Sequence, residues 1–333
     1  MRLLVTGGCG FIGTNFIRQV LKTHPDWEVV NLDALTYAGN RENLADFEAD
    51  HRYRLIVGRV EDPTAVAEAM KGATAVIHFA AESHVDRSIV NAAPFILTNV
   101  VGTQVLLDAS RAANPMPRFV HVSTDEVYGT LGETGLFTEE TPLAPRSPYA
   151  AAKAAADVLC RAYHETYRLP VCVVRPSNNY GPYQFPEKLI PLAITNLLEG
   201  RKVPIYGQGQ NVRDWVHVED NCRAIELVLK QGRPGSVYNI GGRCPKRNIE
   251  VVRTLLNLLA KTEEWIEFVP DRPGHDFRYA LDNSRIEKEL GWYPAIDFQE
   301  GLRRTIEWYQ SHPDWWRPLK QRLERESRGF WTT

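Results

Sequence analysis

The start of the chain restricts the fold more than any other stretch. Leu3-Leu4-Val5-Thr6 reads as a short strand. Gly7-Gly8-Cys9-Gly10-Phe11-Ile12-Gly13 then turns into a helix carrying Phe16, Ile17, Val20 and Leu21. Glycines between a strand and a helix let the backbone turn tightly and approach a pyrophosphate, which sits on the unpaired N–H groups of the helix N-terminus. A glycine cluster alone is weak, but here it has the strand before it and the helix after it. A second strand, Glu28 to Asp33, ends in an acid twenty residues beyond Gly13. A carboxylate there holds the ribose hydroxyls of a dinucleotide and repels a 2′-phosphate, which favours NAD over NADP.

The pattern then repeats. Apolar runs at Tyr53–Val57, Ala75–Phe79, Arg118–Val122 and Val171–Arg175 alternate with helical stretches. This predicts an α/β fold, a Rossmann-type doubly wound parallel sheet. A long helix containing Phe95, Ile96, Val100, Val101, Val105, Leu106 and Leu107 is apolar over more than one stripe, as expected of a helix facing both the sheet and another subunit. After Arg175 comes loop chemistry, Pro176 to Pro186, rich in Pro, Asn and aromatics. The expected organisation is a dinucleotide-binding domain over 1–175, to which 214–243 returns. A smaller, interleaved substrate-binding region takes 176–213 and 244–333. The tail from Arg317 onward is mostly charged and is expected to pack loosely.

Ser123-Thr124-Asp125-Glu126-Val127-Tyr128-Gly129 follows the Arg118–Val122 strand, so Thr124, Asp125 and Glu126 fall at the sheet edge where open parallel sheets bind ligands. Tyr149 and Lys153 open an alanine-rich helix, and a spacing of four puts them on one face. The lysine charge is expected to lower the tyrosine pKa and make the phenol a base near neutrality. Two adjacent carboxylates beside that pair exceed what a simple alcohol dehydrogenase needs. They suggest an acid and a base for a second reaction.

Composition narrows the class. Apolar residues make up 44% of 333, enough for a large core without disulfides. The net charge of -2 gives no case for nucleic acid or an anionic membrane as partner. Cys9, Cys160, Cys172, Cys222 and Cys244 are odd in number and lack short spacings, against a disulfide framework or a metal site. With no long apolar span and no signal segment, a cytoplasmic protein is expected.

Longer motifs carry a resemblance. Besides the glycine loop and the Ser123–Gly129 stretch they are Leu35-Thr36-Tyr37-Ala38-Gly39-Asn40, Ala80 to Ser88, Asn178-Asn179-Tyr180-Gly181-Pro182-Tyr183, Pro186-Glu187-Lys188-Leu189-Ile190-Pro191 and Asp271 to Asp276. Through them the chain resembles the extended short-chain dehydrogenase/reductases, and among these the dTDP-glucose 4,6-dehydratases, over residues 1 to 310. The resemblance implies a reaction on tightly held NAD that ends in a 4-keto-6-deoxy sugar nucleotide. Tyr149, assisted by Thr124 and Lys153, takes the sugar 4-hydroxyl proton; Glu126 removes the C5 proton; Asp125 protonates the departing 6-hydroxyl. It also implies cofactor contacts from Gly7, Gly10, Phe11, Ile12, Gly13, Asp33, Ala34, Leu35, Thr36, Ala80, Ala81, Thr98, Tyr149, Lys153 and Asn179. Sugar-nucleotide contacts are implied for Ser83, Thr124, Asn178, Lys188, Leu189, Pro204, Ile205, Tyr206, Arg213, Asn248, Asp271, Arg272 and His275. Arg213 has a rationale of its own, since guanidinium matches a pyrophosphate bidentately. A homodimer built on a four-helix contact, using the 95–108 and 149–165 helices, is implied as well.

The chain departs from the family at Arg59-Val60, where Asp-Ile is usual. Arginine cannot accept from an adenine amino group. It stacks on the ring instead, or Glu61 or Asp62 takes over. Rival readings are a dehydratase of UDP-glucose or UDP-N-acetylglucosamine, a sugar-nucleotide 4-epimerase or decarboxylase, and a silent NAD-binding protein. The Asp125-Glu126 pair counts against the second, and the intact tyrosine, lysine and acids against the third.

Overall fold

The computed structural model describes residues 1–271 and 274–327. Its strands are β1 (Arg2–Thr6), β2 (Glu28–Asp33), β3 (Tyr53–Val57), β4 (Ala75–His78), β5 (Arg118–Val122), β6 (Val171–Pro176), β7 (Asn178–Tyr180), β8 (Val203–Tyr206), β9 (Val212–His217), β10 (Val237–Ile240), β11 (Pro245–Arg247) and β12 (Ile266–Val269). The helices are α1 (Phe11–Thr23), α2 (Pro63–Met70), α3 (Val85–Val90), α4 (Ala93–Phe95), α5 (Gly102–Ala112), α6 (Pro148–Tyr167), α7 (Leu189–Leu198), α8 (Val218–Gln231), α9 (Asn248–Leu258), α10 (Ser284–Leu290), α11 (Phe298–Ser311) and α12 (Pro313–Ser327).

Seven strands form one parallel sheet in the order β10-β6-β5-β4-β1-β2-β3. Successive side chains of a strand point to opposite faces, and here both faces are apolar. Leu3 and Val5 of β1, Ile77 of β4 and Val120 of β5 join α1 and α8 through Phe16, Ile17, Val20, Cys222, Ile225 and Val228. Leu4, Val76 and Phe119 join Val66, Leu106, Leu107 and Cys160 of α2, α5 and α6 on the other face. A strand buried on both sides cannot alternate polar and apolar residues, which is why these runs are continuous in the sequence. The strand order reverses between β1 and β4, and the crevice at that reversal is where open α/β sheets take ligands.

A smaller body carries the sheets β11-β9-β7 and β12-β8 around a second core. Asp214, the expected point of return to the large sheet, lies inside β9 and pairs with Pro245 of β11. The elements that pack on the large sheet begin at Val218, with α8 and β10.

The tail differs from the sequence expectation. Residues 313–327 form α12, with Trp316 at 2% exposure in the second core. The Trp316 indole N–H donates to the Tyr309 carbonyl at 2.8 Å. Lys320 Nζ donates to Asn196 Oδ1 and Glu199 Oε2, both at 2.7 Å. Arg322 donates to the Tyr37 carbonyl in the loop after β2. The count of charges hid an amphipathic spacing, in which Trp316, Leu319 and Lys320 share the buried side.

Candidate active site

One cavity of about 1300 Å³ runs along the C-terminal edge of the large sheet and under the smaller body. Pockets for a single small ligand are roughly 300–1,000 Å³, and this larger one has room for a dinucleotide and a sugar nucleotide together.

Its first end is built by the β1–α1 turn. Gly7 has φ +70°, and a Cβ there would lie 2.6 Å from the Ala80 amide nitrogen. A Cβ on Gly13 would lie 2.4 Å from the Gly7 carbonyl oxygen. Only hydrogen at both positions lets strand, turn and helix close together. Gly7, Gly10, Phe11, Ile12 and Gly13 line the cavity, with Ala80 and Ala81 after β4 opposite them. Asp33 ends β2 beside them. Its two oxygens accept from the Cys9 and Leu35 amides at 2.8 Å each, and burial pushes its carboxyl up. Ala34 and Thr36 line the wall, but Leu35 does not. Leu35 sits at φ 50° with its N–H donating to Asp33, so its backbone helps fix that carboxylate. Thr98 reaches the cavity from Ile96–Val101, a π-helical turn between α4 and α5.

The middle of the cavity holds the reactive side chains. Thr124 caps the short turn Asp125–Tyr128 at the end of β5, its Oγ1 accepting from the Glu126 amide at 3.3 Å. Thr124 Oγ1 also lies 3.2 Å from Asp125 Oδ1. Asp125 is buried, at 2% exposure. Burial first and the Glu126 carboxylate second push its carboxyl well above the ordinary range, with Arg213 opposing. A shift in that direction favours the protonated form, which is the form that can act as an acid.

Tyr149 and Lys153 enter from α6. Burial and then the Glu126 carboxylate push the Tyr149 phenol up, while a hydrogen bond with Thr124 works the other way. The lowering expected from Lys153 is not among the main influences on the phenol, which in the protein alone is dry and faces negative charge. Lys153 Nζ donates to the Val122 carbonyl at 2.7 Å, and burial brings its pKa down to about 8.

The far end belongs to the smaller body. Asn178 and Asn179 of β7, Lys188 and Leu189 at the start of α7, Pro204, Ile205 and Tyr206 of β8, Arg213 of β9 and Asn248 of α9 all line it, with Ser83, Asp271 and His275. Lys188 Nζ donates to the Ser83 carbonyl at 3.2 Å, joining the two bodies across the cavity. Asp271 Oδ1 lies 2.7 Å from His275 Nδ1. Arg213 is buried over the Tyr279 ring at 4.2 Å and donates to the Val212 and Asp276 carbonyls at 2.8 and 3.0 Å. Arg272 lies outside the described residues. The sequence reading missed Tyr279, Glu82 and the α12 residues Lys320, Leu323 and Glu324, all of which line the cavity. Tyr279 follows a stretch read as a polar loop, and α12 reaches the cavity only through the tertiary fold.

The model of the GDP-mannose 4,6 dehydratase family matches residues 4–305. The chain belongs to this dehydratase family. Curated relatives include dTDP-glucose 4,6-dehydratases of Streptomyces niveus, 52% identical over 324 residues covering 96% of each chain, and of Xanthomonas campestris, 51% identical over 331 residues covering 94% of each. Among solved structures of the dehydratase family, dTDP-glucose 4,6-dehydratase from Streptomyces venezuelae with NAD and TYD bound matches with a TM-score of 0.93 and 54% identity, over 96% of this chain and all of that one. A Thermus thermophilus UDP-glucose 4-epimerase in complex with NAD shares the fold at a TM-score of 0.86 and 31% identity, over 94% of this chain and all of that one.

Proposed function

We propose that the chain is an NAD-dependent dTDP-glucose 4,6-dehydratase, a lyase that converts dTDP-glucose to dTDP-4-keto-6-deoxyglucose. One observation carries this reading: a buried Asp125, its carboxyl pushed up by burial and by the adjacent Glu126, in the cavity that also holds Tyr149. Epimerisation at C4 needs no such acid–base pair. The similarity to dTDP-glucose 4,6-dehydratases along the chain agrees with it.

The glycine turn, the α1 N-terminus and Asp33 fit NAD, because Gly7 and Gly13 leave no room for a Cβ where a pyrophosphate would approach. NAD, when bound, supplies the hydride acceptor and donor and, when oxidised, a positive charge that offsets the carboxylates acting on Tyr149. Tyr149 then takes the 4-hydroxyl proton, with Thr124 hydrogen-bonded to the phenol. The resulting 4-ketone acidifies C5–H, Glu126 removes that proton, and Asp125 gives its own to the departing 6-hydroxyl. Burial disfavours the ionised form of Asp125, and the nearby negative charge of Glu126 pushes the two titrations apart. Arg213, Lys188, Asn248 and the Asp271–His275 segment would bind the sugar nucleotide. Purified protein, with no dinucleotide added, should convert dTDP-glucose to the 4-keto-6-deoxy product faster than UDP-glucose, UDP-N-acetylglucosamine or GDP-mannose. Preference for a UDP or GDP sugar overturns the substrate assignment.

The adenine end is assigned to Glu61. Asp62 Oδ1 accepts the Thr64 amide at 2.9 Å and caps α2, so that carboxylate is already engaged. Arg59 Nη1 reaches Glu61 Oε1 at 3.2 Å, with side-chain exposures of 56% and 11%, and both residues line the cavity. Glu61 is the sheltered acceptor for the adenine amino group, and Arg59 orients it from the rim. Glu61→Ala, which removes the acceptor, should weaken NAD about 10-fold without weakening nicotinamide hypoxanthine dinucleotide, which has a carbonyl in place of the amino group. Equal losses for both dinucleotides in a binding titration contradict this assignment.

The protein is also read as a cytoplasmic homodimer. The cytoplasmic placement rests on five free cysteines. Among the described residues no helix is long and apolar enough to cross a membrane. For the dimer, Ile96, Leu97 and Val101 are 47, 48 and 38% exposed, and Val158 on the neighbouring α6 is 57% exposed. Two such helices from each of two copies make a four-helix contact. Leu97→Glu combined with Val158→Glu should give a monomer by light scattering. A dimer that persists refutes this interface.

A further inference from the structure

Behind Lys153, away from the cavity, lies a set of buried polar groups that the proposed reaction does not use. His121 of β5 is fully buried, and Asp157 of α6 and Arg175 of β6 are 3 and 5% exposed. His121 Nε2 lies 3.5 Å from Lys153 Nζ and 3.6 Å from Asp157 Oδ1, so one imidazole nitrogen faces both charges. Arg175 Nε donates to Asp157 Oδ2 at 2.8 Å, and its Nη1 donates to the Tyr128 hydroxyl at 2.8 Å. Tyr128 in turn donates to Asn239 Oδ1 at 2.8 Å. Among the described residues, Asp157 Oδ1 and His121 Nδ1 have no hydrogen-bond partner. Asp157 follows Lys153 by one helical turn, so the two side chains share a face of α6.

Arg175 holds one oxygen of this buried anion, and the other lies 3.6 Å from the imidazole nitrogen that also faces the lysine, so only part of its charge is compensated by a direct hydrogen bond. We propose that Asp157 is a positioning residue which, across His121, keeps the Lys153 ammonium charged and directed at the dinucleotide, while Arg175 limits how strongly it does so. This rests on the reading of Lys153 as a cofactor ligand. The groups facing Lys153 are consistent with it. Burial lowers the His121 pKa well below its ordinary value and that of His78, on β4, to about 3, so both rings are neutral. Burial raises the Cys160 thiol, which is also neutral. On the cavity side stand the Tyr149 phenol and the Asp125 and Glu126 carboxyls. Behind the lysine the charges are Asp157 and Arg175, and Asp157 acts more strongly than Cys160 against the loss of the Lys153 proton.

The sign follows directly. Lys153 is charged below about pH 8 and neutral above it, so dinucleotide affinity that depends on the ammonium falls as pH rises through that value. Asp157→Asn removes the compensating anion and should move the fall to lower pH by about one unit. Arg175→Met frees Asp157 for the lysine and should move it to higher pH. Asp157→Glu, which keeps the charge, should retain the fall near its original pH. The measurement is the affinity for NADH, followed by its fluorescence, across pH 6–10 in each full-length variant. Opposite shifts support the proposal. An unmoved fall, or shifts of the same sign, overturns it, because a merely structural role weakens binding at every pH alike. If Asp157→Asn does not fold, Arg175→Met decides alone, and an unmoved or downward shift rejects the proposal. Failure to dehydrate any sugar nucleotide refutes the proposed function and leaves this binding readout intact.

Discussion

Replacing Asp125 by Asn and Glu126 by Gln together should leave the protein able to oxidise its sugar at C4 and unable to expel water. Both side chains keep their size and their polar atoms, so the cavity shape is retained. What is lost is the acid at Asp125, whose carboxyl burial and Glu126 push up, and the base that takes the C5 proton. General acid–base catalysis is worth about 10²–10⁴-fold per group, and the two act in one elimination, so formation of 6-deoxy product should fall by at least about 10³-fold. Oxidation at C4 should remain visible as growth of the near-ultraviolet absorbance of reduced nicotinamide after one addition of dTDP-glucose. Continued 6-deoxy product means that the acid and base lie elsewhere. Loss of the absorbance change together with the product means that the pair serves binding or the C4 step.

Tyr149→Phe should have the converse effect. The phenol faces the cavity beside Thr124, and its ring packs edge-on against Phe95 with centroids 6.3 Å apart. Removing one oxygen keeps that packing and deletes the proton acceptor for the 4-hydroxyl. Turnover of dTDP-glucose should drop about 10²–10⁴-fold, with the absorbance change lost as well. Proton exchange at C5 of an already formed 4-keto-6-deoxy product should persist in deuterated buffer, because Glu126 needs only the ketone to act. NMR of that proton separates the outcomes. Lost exchange in the Phe variant contradicts the division of labour between Tyr149 and Glu126.

How much of this was legible in the sequence depends on how local each feature is. The β1–α1 turn, the acid ending β2 and the Thr124-Asp125-Glu126 turn are set by residues adjacent in the chain, and reading strand, turn and helix in order placed them in one cavity. The dependence of Tyr149 on its surroundings was not legible. The i, i+4 spacing brings Lys153 to the same face, but burial and the carboxylates from the end of β5 act on the phenol more strongly. Arg213 illustrates the same limit: its type suggested an anion ligand, while its seat over Tyr279 depends on β9 lying beside residues 277–279. At Leu35 the motif gives the residue, while its φ of 50° and its bond to Asp33 come from the folded turn. The tail failed because Trp316 and Lys320 find Tyr309, Asn196 and Glu199 only once the smaller body has folded.

This one cavity should perform an internal oxidation, a loss of water and a reduction without outside help. Purified protein should be incubated with dTDP-glucose in deuterated water, with no dinucleotide added, and the product weighed by mass spectrometry. The expected product has lost one water and gained one deuterium, carried at C5, with no net redox change. A product that has lost no water, or that has lost water with no deuterium gained, contradicts the roles assigned to Asp125 and Glu126.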